Sequence, residues 1–281
     1  MYWRYFDLET FSLLEIFKAV ILGIVQGITE WLPVSSTGHM ILINEFIKLN
    51  FSNTFINTFL VVIQFGSILA VLVIFFRKLN PFDSAKNIKQ KKETVRLWLK
   101  VIIAVIPSGV IGILFEDDID RVFFNSTVVA IALIVYGIIM IGLEKRNKRP
   151  KYKDFSQVTY KLALCIGLFQ CLALIPGTSR SGSTIIGAVL LGTSRYVAAE
   201  FSFFLAIPTM LGASALKLLK AGFGFTGFEW LILGVGSVVA FVVSIVVIKF
   251  FMDYIKKHDF KVFGYYRIVL GIVVLAYFFL L

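Results

Sequence analysis

Long apolar runs separated by short polar stretches set the pattern of the chain. Apolar segments lie at about 16–34, 40–49, 55–76, 97–115, 122–143, 162–176, 184–192, 200–219, 228–252 and 263–281. A helix needs about 20 apolar residues, with a range of roughly 17–25, to cross a bilayer. Six segments read as plain spans: 55–76, 97–115, 122–143, 200–219, 228–252 and 263–281. The other four form two adjacent pairs, broken by Pro33-Val-Ser-Ser-Thr-Gly-His39 and by Pro176-Gly-Thr-Ser-Arg-Ser-Gly-Ser-Thr184. Non-helical backbone at membrane depth survives only where protein or a water-filled cavity satisfies it. Each pair therefore reads as a re-entrant helix–turn–helix hairpin with its polar tip inside the protein, against the plainer alternative of a surface loop between short helices. The expected fold is an all-α polytopic membrane protein of six transmembrane helices and two re-entrant hairpins.

Composition removes the competing classes. Hydrophobic residues make up 58% of the 281 and charged residues only 16%, with mean hydropathy +0.88. A soluble domain of this size has too little interior for that much apolar surface, which excludes soluble enzymes, nucleic-acid binders and secreted scaffolds. Cys165 and Cys171 match no metal or redox spacing and read as buried free thiols. The first residues carry Arg4, Asp7 and Glu9 without an A-x-A-like cleavage site, so the first apolar stretch is expected to be retained.

The net charge of +11 needs no nucleic-acid partner, because the basic residues gather in loops. Residues 77–100 hold eight Lys/Arg, 144–161 hold seven and 253–267 hold four, whereas 116–121 form an acidic turn with Glu116, Asp117, Asp118 and Asp120. Basic loops placed in the cytoplasm send the first hairpin in from outside and the second from the cytoplasm; Lys217 and Lys220, falling outside, dissent. Gly23-Ile-Val-Gln26 … Pro33-Val-Ser-Ser36 parallels Gly167-Leu-Phe-Gln170 … Pro176-Gly-Thr-Ser179, at offsets of 144 and then 143. Residues 1–150 and 151–281 thus each read as one hairpin plus three spans. Three spans invert the second half, giving an inverted-topology repeat whose broken helices meet near the midplane.

Ionisable groups inside a membrane are functional by default. Here they are chiefly Glu30, His39 and Arg180, with Lys18 and Glu45 nearer the segment ends. Gln26 and Glu30 share one helix face, and the hydroxyls of Ser35, Ser36 and Thr37 precede His39. A carboxylate, hydroxyls and an imidazole at one bend supply a base or metal ligand, a nucleophile and a proton carrier. At the second tip, Ser179, Arg180, Ser181 and Thr184 open a helical run, where backbone N–H groups and a guanidinium fork suit phosphate oxygens. A polar tip capped by Ser/Thr and an Arg bonded to carbonyls are the structural alternatives. Together the tips point to chemistry on a phosphorylated lipid.

Gln26-Gly-Ile-Thr-Glu30, Leu32-Pro-Val-Ser-Ser-Thr-Gly-His39 and Pro176-Gly-Thr-Ser-Arg-Ser-Gly182 resemble the bacterial undecaprenyl-diphosphate phosphatase (bacitracin-resistance protein) family, over almost the whole chain. The resemblance implies hydrolysis of undecaprenyl diphosphate to undecaprenyl phosphate at the outer face of the cell membrane, recycling the carrier for wall polymers. Bacitracin would compete for the lipid rather than bind the protein. The family's required residues would fall on Glu30, Ser36, His39, Ser179 and Arg180, with a divalent cation, Mg²⁺ or Ca²⁺. The expected site is Glu30, Ser36 and His39 as reacting groups and Gln26, Ser179, Arg180, Ser181 and Thr184 around the diphosphate, with Glu30 as the metal ligand. Gln26 stands where many relatives carry Glu. Ser36, His39 and an activated water remain open as nucleophile, a homodimer stays open, and a polyprenyl-phosphate flippase is the rival class.

Overall fold

Apolar sequence with few internal breakers folds as helix, and short polar residues fix where several helices begin. The computed structural model describes residues 2–123, 125–146 and 149–280; the side chains of residues 2–11, 44, 116, 120 and 280 lie outside that description. Arg4, Asp7 and Glu9, the acidic side chains of Glu116 and Asp120, and Lys148 of the second basic loop are therefore outside the described residues. The helices are α1 (Tyr2–Thr29), α2 (Ser36–Phe46), α3 (Asn53–Ile74), the single turn α4 (Phe76–Leu79), α5 (Ile88–Phe123), α6 (Ser126–Lys145), α7 (Tyr160–Cys171), α8 (Arg180–Leu190), α9 (Arg195–Ala221), α10 (Gly227–Lys257) and α11 (Lys261–Leu280). Ser52, Asn125, Thr159, Ser194 and Thr226 each accept a backbone N–H at the start of a helix, the side-chain cap that the first turn requires.

The chain is an all-α polytopic membrane protein. Seven described helices are long and apolar enough to cross a membrane, one more than the sequence suggested. The addition is α1: Ser12–Thr29 reaches spanning length by itself, where 16–34 reads as a short hairpin arm. A second boundary also moves. The stretch 116–121, expected as a turn, continues α5 to Phe123; the next helix starts after Asn125, whose side chain caps α6 by accepting from Val128 N.

Polar contacts gather the loops at two ends. At one end Lys78 pairs with Glu200 at 2.7 Å, Arg195 with Glu144, and Phe260 N donates to Glu144. Lys78 and Lys100 also stand over the Phe155 ring, so all three basic loops share this end. At the other, Asn50 N donates to Glu15 and Lys18 to the Lys48 carbonyl, and Phe51 meets Phe228. The α1–α2 pair begins and returns at this second end, and the α7–α8 pair at the basic end, where Tyr152 bridges Thr193. The two breaks meet between them.

The halves exchange partners: α1 packs on α10, α7 on α5, α3 on α9 and α6 on α11. Glycines permit the two equivalent exchanges. A Cβ on Gly23 would lie 2.7 Å from the Gly236 carbonyl oxygen, and one on Gly167 would lie 2.1 Å from that of Ala104. Both are backbone clashes, closer than any carbon can sit, so the helix axes can approach only without a side chain.

Gly167→Ala is therefore expected to destabilise the protein by about 1–3 kcal/mol through overpacking, although Ala favours helix. Gly142→Ala, with open space around it, should be neutral or stabilising. Thermal unfolding in detergent checks the pair; an unchanged midpoint for Gly167→Ala would mean that α5 and α7 do not pack this way.

Candidate active site

Two chain breaks with the same local chemistry build the site. Among the described residues only Ser35 and Ser179 combine a side chain with positive φ, each at 72°. Each is the N-cap of its helix: Ser35 Oγ accepts from Gly38 N at 3.3 Å, and Ser179 Oγ from Gly182 N at 3.1 Å. The carbonyls of Ser35 and Ser179 likewise accept from His39 N and Ser183 N. A single offset of 144 relates Gly23 to Gly167, Gln26 to Gln170, Ser35 to Ser179 and Gly38 to Gly182. This corrects the repeat as matched on its prolines, which slipped to 143 and set Ser36 opposite Ser179. Ser36 stands opposite Arg180 instead, each in the first position of its helix.

Glu30, at the end of α1, is the centre of the contacts and only 4% exposed. Gln26 Nε2 donates to its Oε2 at 2.8 Å and Ser36 Oγ donates to the same oxygen at 3.0 Å. Arg180 Nη2 donates to Oε1 at 3.2 Å across the junction. Arg180 Nη1 donates to the Ser202 carbonyl at 2.7 Å, while its Nε finds no acceptor among the described residues. Its guanidinium stands 5.8 Å over the ring of buried Trp31, which Phe203 meets edge-on. The pair is nearly desolvated, so removing one partner would strand the other charge.

The remaining expected residues divide. Ser181 and Thr184 are fully enclosed: Ser181 Oγ is 3.3 and 3.2 Å from the carbonyl oxygens of Glu30 and Leu32, and Thr184 Oγ1 is 2.9 Å from the Arg180 carbonyl and 2.7 Å from Ser202 Oγ. Both hydroxyls thus face protein rather than an open anion cradle: Ser181 answers two carbonyls of the first break, and Thr184 bonds back to the preceding turn of its own helix and across to Ser202. His39 also stands apart from Glu30. Its Nδ1 is 2.7 Å from the Ser35 carbonyl oxygen and its Nε2 is 2.7 Å from the Tyr266 hydroxyl. Donation from Nδ1–H to the carbonyl leaves Nε2 to accept from the phenol. Ser36, Thr37, His39, Ser179 and Arg180 keep partly open surface.

Two contributors lie outside the expected set. Arg267, counted by sequence among the basic loop residues, is in α11 and completely buried. It donates to the carbonyls of Gly177 at 2.8 Å, Thr178 at 3.0 Å and Pro33 at 3.3 Å. An arginine inside the apolar run that ends the chain was the signal available for it. Gln170, the counterpart of Gln26, instead donates to Ser108 and Thr209, each just after a proline inside a helix, Pro107 and Pro208. No group of three or more His, Cys, Asp or Glu side chains comes together among the described residues.

Residues 19–273 match the family described as Bacitracin resistance protein BacA. The chain belongs to this family. Among its relatives, "Undecaprenyl-diphosphatase 1" of Clostridioides difficile (strain 630) is 98% identical over 274 residues, covering 98% of this chain and 100% of that protein. "Undecaprenyl-diphosphatase" of Desulfitobacterium hafniense (strain DSM 10664 / DCB-2) is 59% identical over 270 residues, 95% of this chain and 97% of that one. The Enterococcus faecalis protein of the same name is 60% identical over 267 residues, 93% of this chain and 96% of that one.

The two serine caps make a stability prediction. Ser35→Ala should lose about 1 kcal/mol, the worth of a side-chain cap. Ser35→Gly should lose less or nothing, since glycine adopts the positive φ without steric cost. Unfolding midpoints in detergent compare the two; equal losses would show that the backbone angle places no demand on residue 35.

Proposed function

We propose that the junction of the two broken helices is the active site of an undecaprenyl-diphosphate phosphatase, releasing phosphate and returning undecaprenyl phosphate for cell-wall synthesis. The relatives' shared name gives the substrate. The observation that carries the placement is the hydrogen-bonded set Gln26–Glu30–Ser36 facing Arg180 at two helix N-termini. Resistance to bacitracin follows from the same activity: a faster return of the monophosphate lowers the lipid diphosphate available to the antibiotic, which meets the lipid and not this chain.

Phosphoryl transfer needs positioning and charge stabilisation more than covalent assistance. Arg180, steadied by the Ser202 carbonyl, presents its remaining donors to the diphosphate as a fork. Substrate oxygens compete with Glu30 for that guanidinium and release the carboxylate to act as acceptor. Ser36 Oγ, already donating to Glu30 Oε2, attacks the terminal phosphorus as its proton passes to Glu30. The P–O bond to undecaprenyl phosphate breaks, and water then hydrolyses the phosphoserine. His39, held by Ser35 and Tyr266, hydrogen-bonds neither Ser36 nor Glu30, and this favours Ser36 as nucleophile.

A divalent cation fits the donor set in one way. Glu30 is the one carboxylate among the described contacts of the junction, with the Ser36 hydroxyl and Gln26 amide beside it. Mg²⁺ in such sites takes one or two carboxylates and completes its shell with substrate phosphates and water. The ion would thus accompany the diphosphate, held by Glu30, and supply neutralisation of phosphate charge. The Lys/Arg excess of the basic end supports its placement in the cytoplasm of the bacterial plasma membrane, with the junction served from the opposite, outer face.

Phosphate release from undecaprenyl diphosphate by protein in detergent tests the reading. Glu30→Gln and Ser36→Ala should each lower the rate by about a hundredfold or more with folding intact. Gln26→Glu should be mild and lower the Mg²⁺ or Ca²⁺ concentration needed for half-maximal rate. Full activity in Ser36→Ala would transfer the attack to water or His39, and no release by the unmodified protein would leave a lipid carrier. Sidedness is checked separately. With Cys165 and Cys171 replaced, a cysteine at Lys89 should label from the cytoplasm and one at Asp118 from outside; labelling from one side would undo the assignment.

A further inference from the structure

The geometry points to Tyr266 and Arg267 of α11 as the positioning pair of the site, one side chain fixing the two chain breaks against each other and the other fixing His39. This rests on the proposed phosphatase reading and adds residues that the two hairpin motifs do not contain.

Arg267 is fully buried, and among the described residues no carboxylate accepts from it. Among the described residues every hydrogen bond it makes goes to a backbone carbonyl. Three of these belong to the turns leading into the caps: Pro33 in the first, Gly177 and Thr178 in the second. The fourth, Leu133, is in α6 at 3.5 Å. Its guanidinium also stands 5.5 Å over the Tyr136 ring. One planar group thus spans both halves. In a trans peptide the C=O and N–H point in opposite directions, so drawing the Thr178 carbonyl toward Arg267 turns the Ser179 N–H away from it.

That orientation matters for what lies on the other side. The N-caps consume the N–H groups of Gly38 and Gly182. The N–H groups of Ser36, Thr37, Arg180 and Ser181 have no intrahelical acceptor, as in any first turn. These four, with Ser36 Oγ and Arg180, surround the place proposed for the diphosphate. Arg267 therefore touches no substrate; it acts through the turns that aim these donors. Its charge, unmatched by a carboxylate, also adds positive potential behind an anion site.

Tyr266 performs the corresponding service for His39. Its hydroxyl is 2.7 Å from Nε2, and its ring lies nearly parallel to the imidazole, 7° apart with centroids at 5.5 Å. With Nδ1 committed to the Ser35 carbonyl, the phenol holds the imidazole in one tautomer and one orientation. Tyr266 is 46% exposed, so removing its hydroxyl leaves the core unchanged. Adjacent residues of one helix thus reach both halves of the junction, and a shift of α11 would disturb them together.

The test compares Arg267→Lys and Tyr266→Phe with the unmodified protein, using phosphate release from undecaprenyl diphosphate in detergent alongside thermal unfolding. A point ammonium cannot bridge three carbonyls. Arg267→Lys is expected to lower kcat about a hundredfold, the effect of ångström-scale misplacement, even in the folded fraction isolated by size exclusion. Tyr266→Phe is expected to lower kcat about tenfold, one hydrogen bond's worth, with KM and unfolding midpoint unchanged. Folded Arg267→Lys with normal kcat overturns the inference, and so does Tyr266→Phe with normal kcat. If Arg267→Lys yields no folded protein, Tyr266→Phe decides alone. An inactive unmodified protein would instead count against the phosphatase reading itself.

Discussion

A helix broken inside an apolar body exposes carbonyl and N–H groups that lipid cannot satisfy, and the rest of this protein is arranged around two such breaks. Ser35 and Ser179 cap the helices that follow them. Ser181 answers the carbonyls of Glu30 and Leu32, and Arg267 answers those of Pro33, Gly177 and Thr178. Each break is satisfied largely by the other half or by α11. Satisfaction of the backbone and construction of the site are therefore one problem. The residues that make the breaks tolerable also bring Glu30, Ser36 and Arg180 into contact.

The equal offset between the halves shows how one local design supports two chemistries. Position one of the capped helix is Ser36 in the first half and Arg180 in the second; a hydroxyl and a guanidinium occupy matched places and meet the two oxygens of Glu30. Gln26 and Gln170 also correspond, yet only Gln26 has a carboxylate one turn later, since Leu174 stands where Glu30 does in the first half. The second half supplies charge and the first supplies the acceptor. Gln170 is left to tie together the proline-bearing helices α5 and α9.

Much of this was legible in the sequence. Apolar run length located six of the seven long helices and took α1 for a hairpin arm, and intramembrane Glu30 and Arg180 identified the junction, because both signals follow from the cost of polar groups in lipid. What escaped depended on three-dimensional proximity. Ser181 and Thr184 belong to the phosphate-like motif, but the Ser181 hydroxyl turns inward to carbonyls that only the folded break exposes, and that of Thr184 to its own helix and Ser202. Arg267 followed a basic loop closely enough to be counted with it, although it lies within a helix. Alignment on prolines misplaced the repeat by one residue, since φ = 72° at Ser35 and Ser179, rather than proline, marks the equivalent points. The acidic stretch before Asn125 looked like a turn by charge, yet contains no residue that stops a helix.

The exchange of partners between halves has a consequence for biogenesis. The Gln26–Glu30 face of α1 is complete only after α8 has delivered Arg180 and α10 has covered Gly23 and Gly27. At 5–20 residues per second, the roughly 200 residues between α1 and α10 take about 10–40 s to synthesise. Through that interval the newly made first hairpin holds a carboxylate and open backbone groups without their final partners. The nascent chain must keep them hydrated at the membrane surface or within the insertion machinery until the second half arrives, and neither half can reach its native packing by itself.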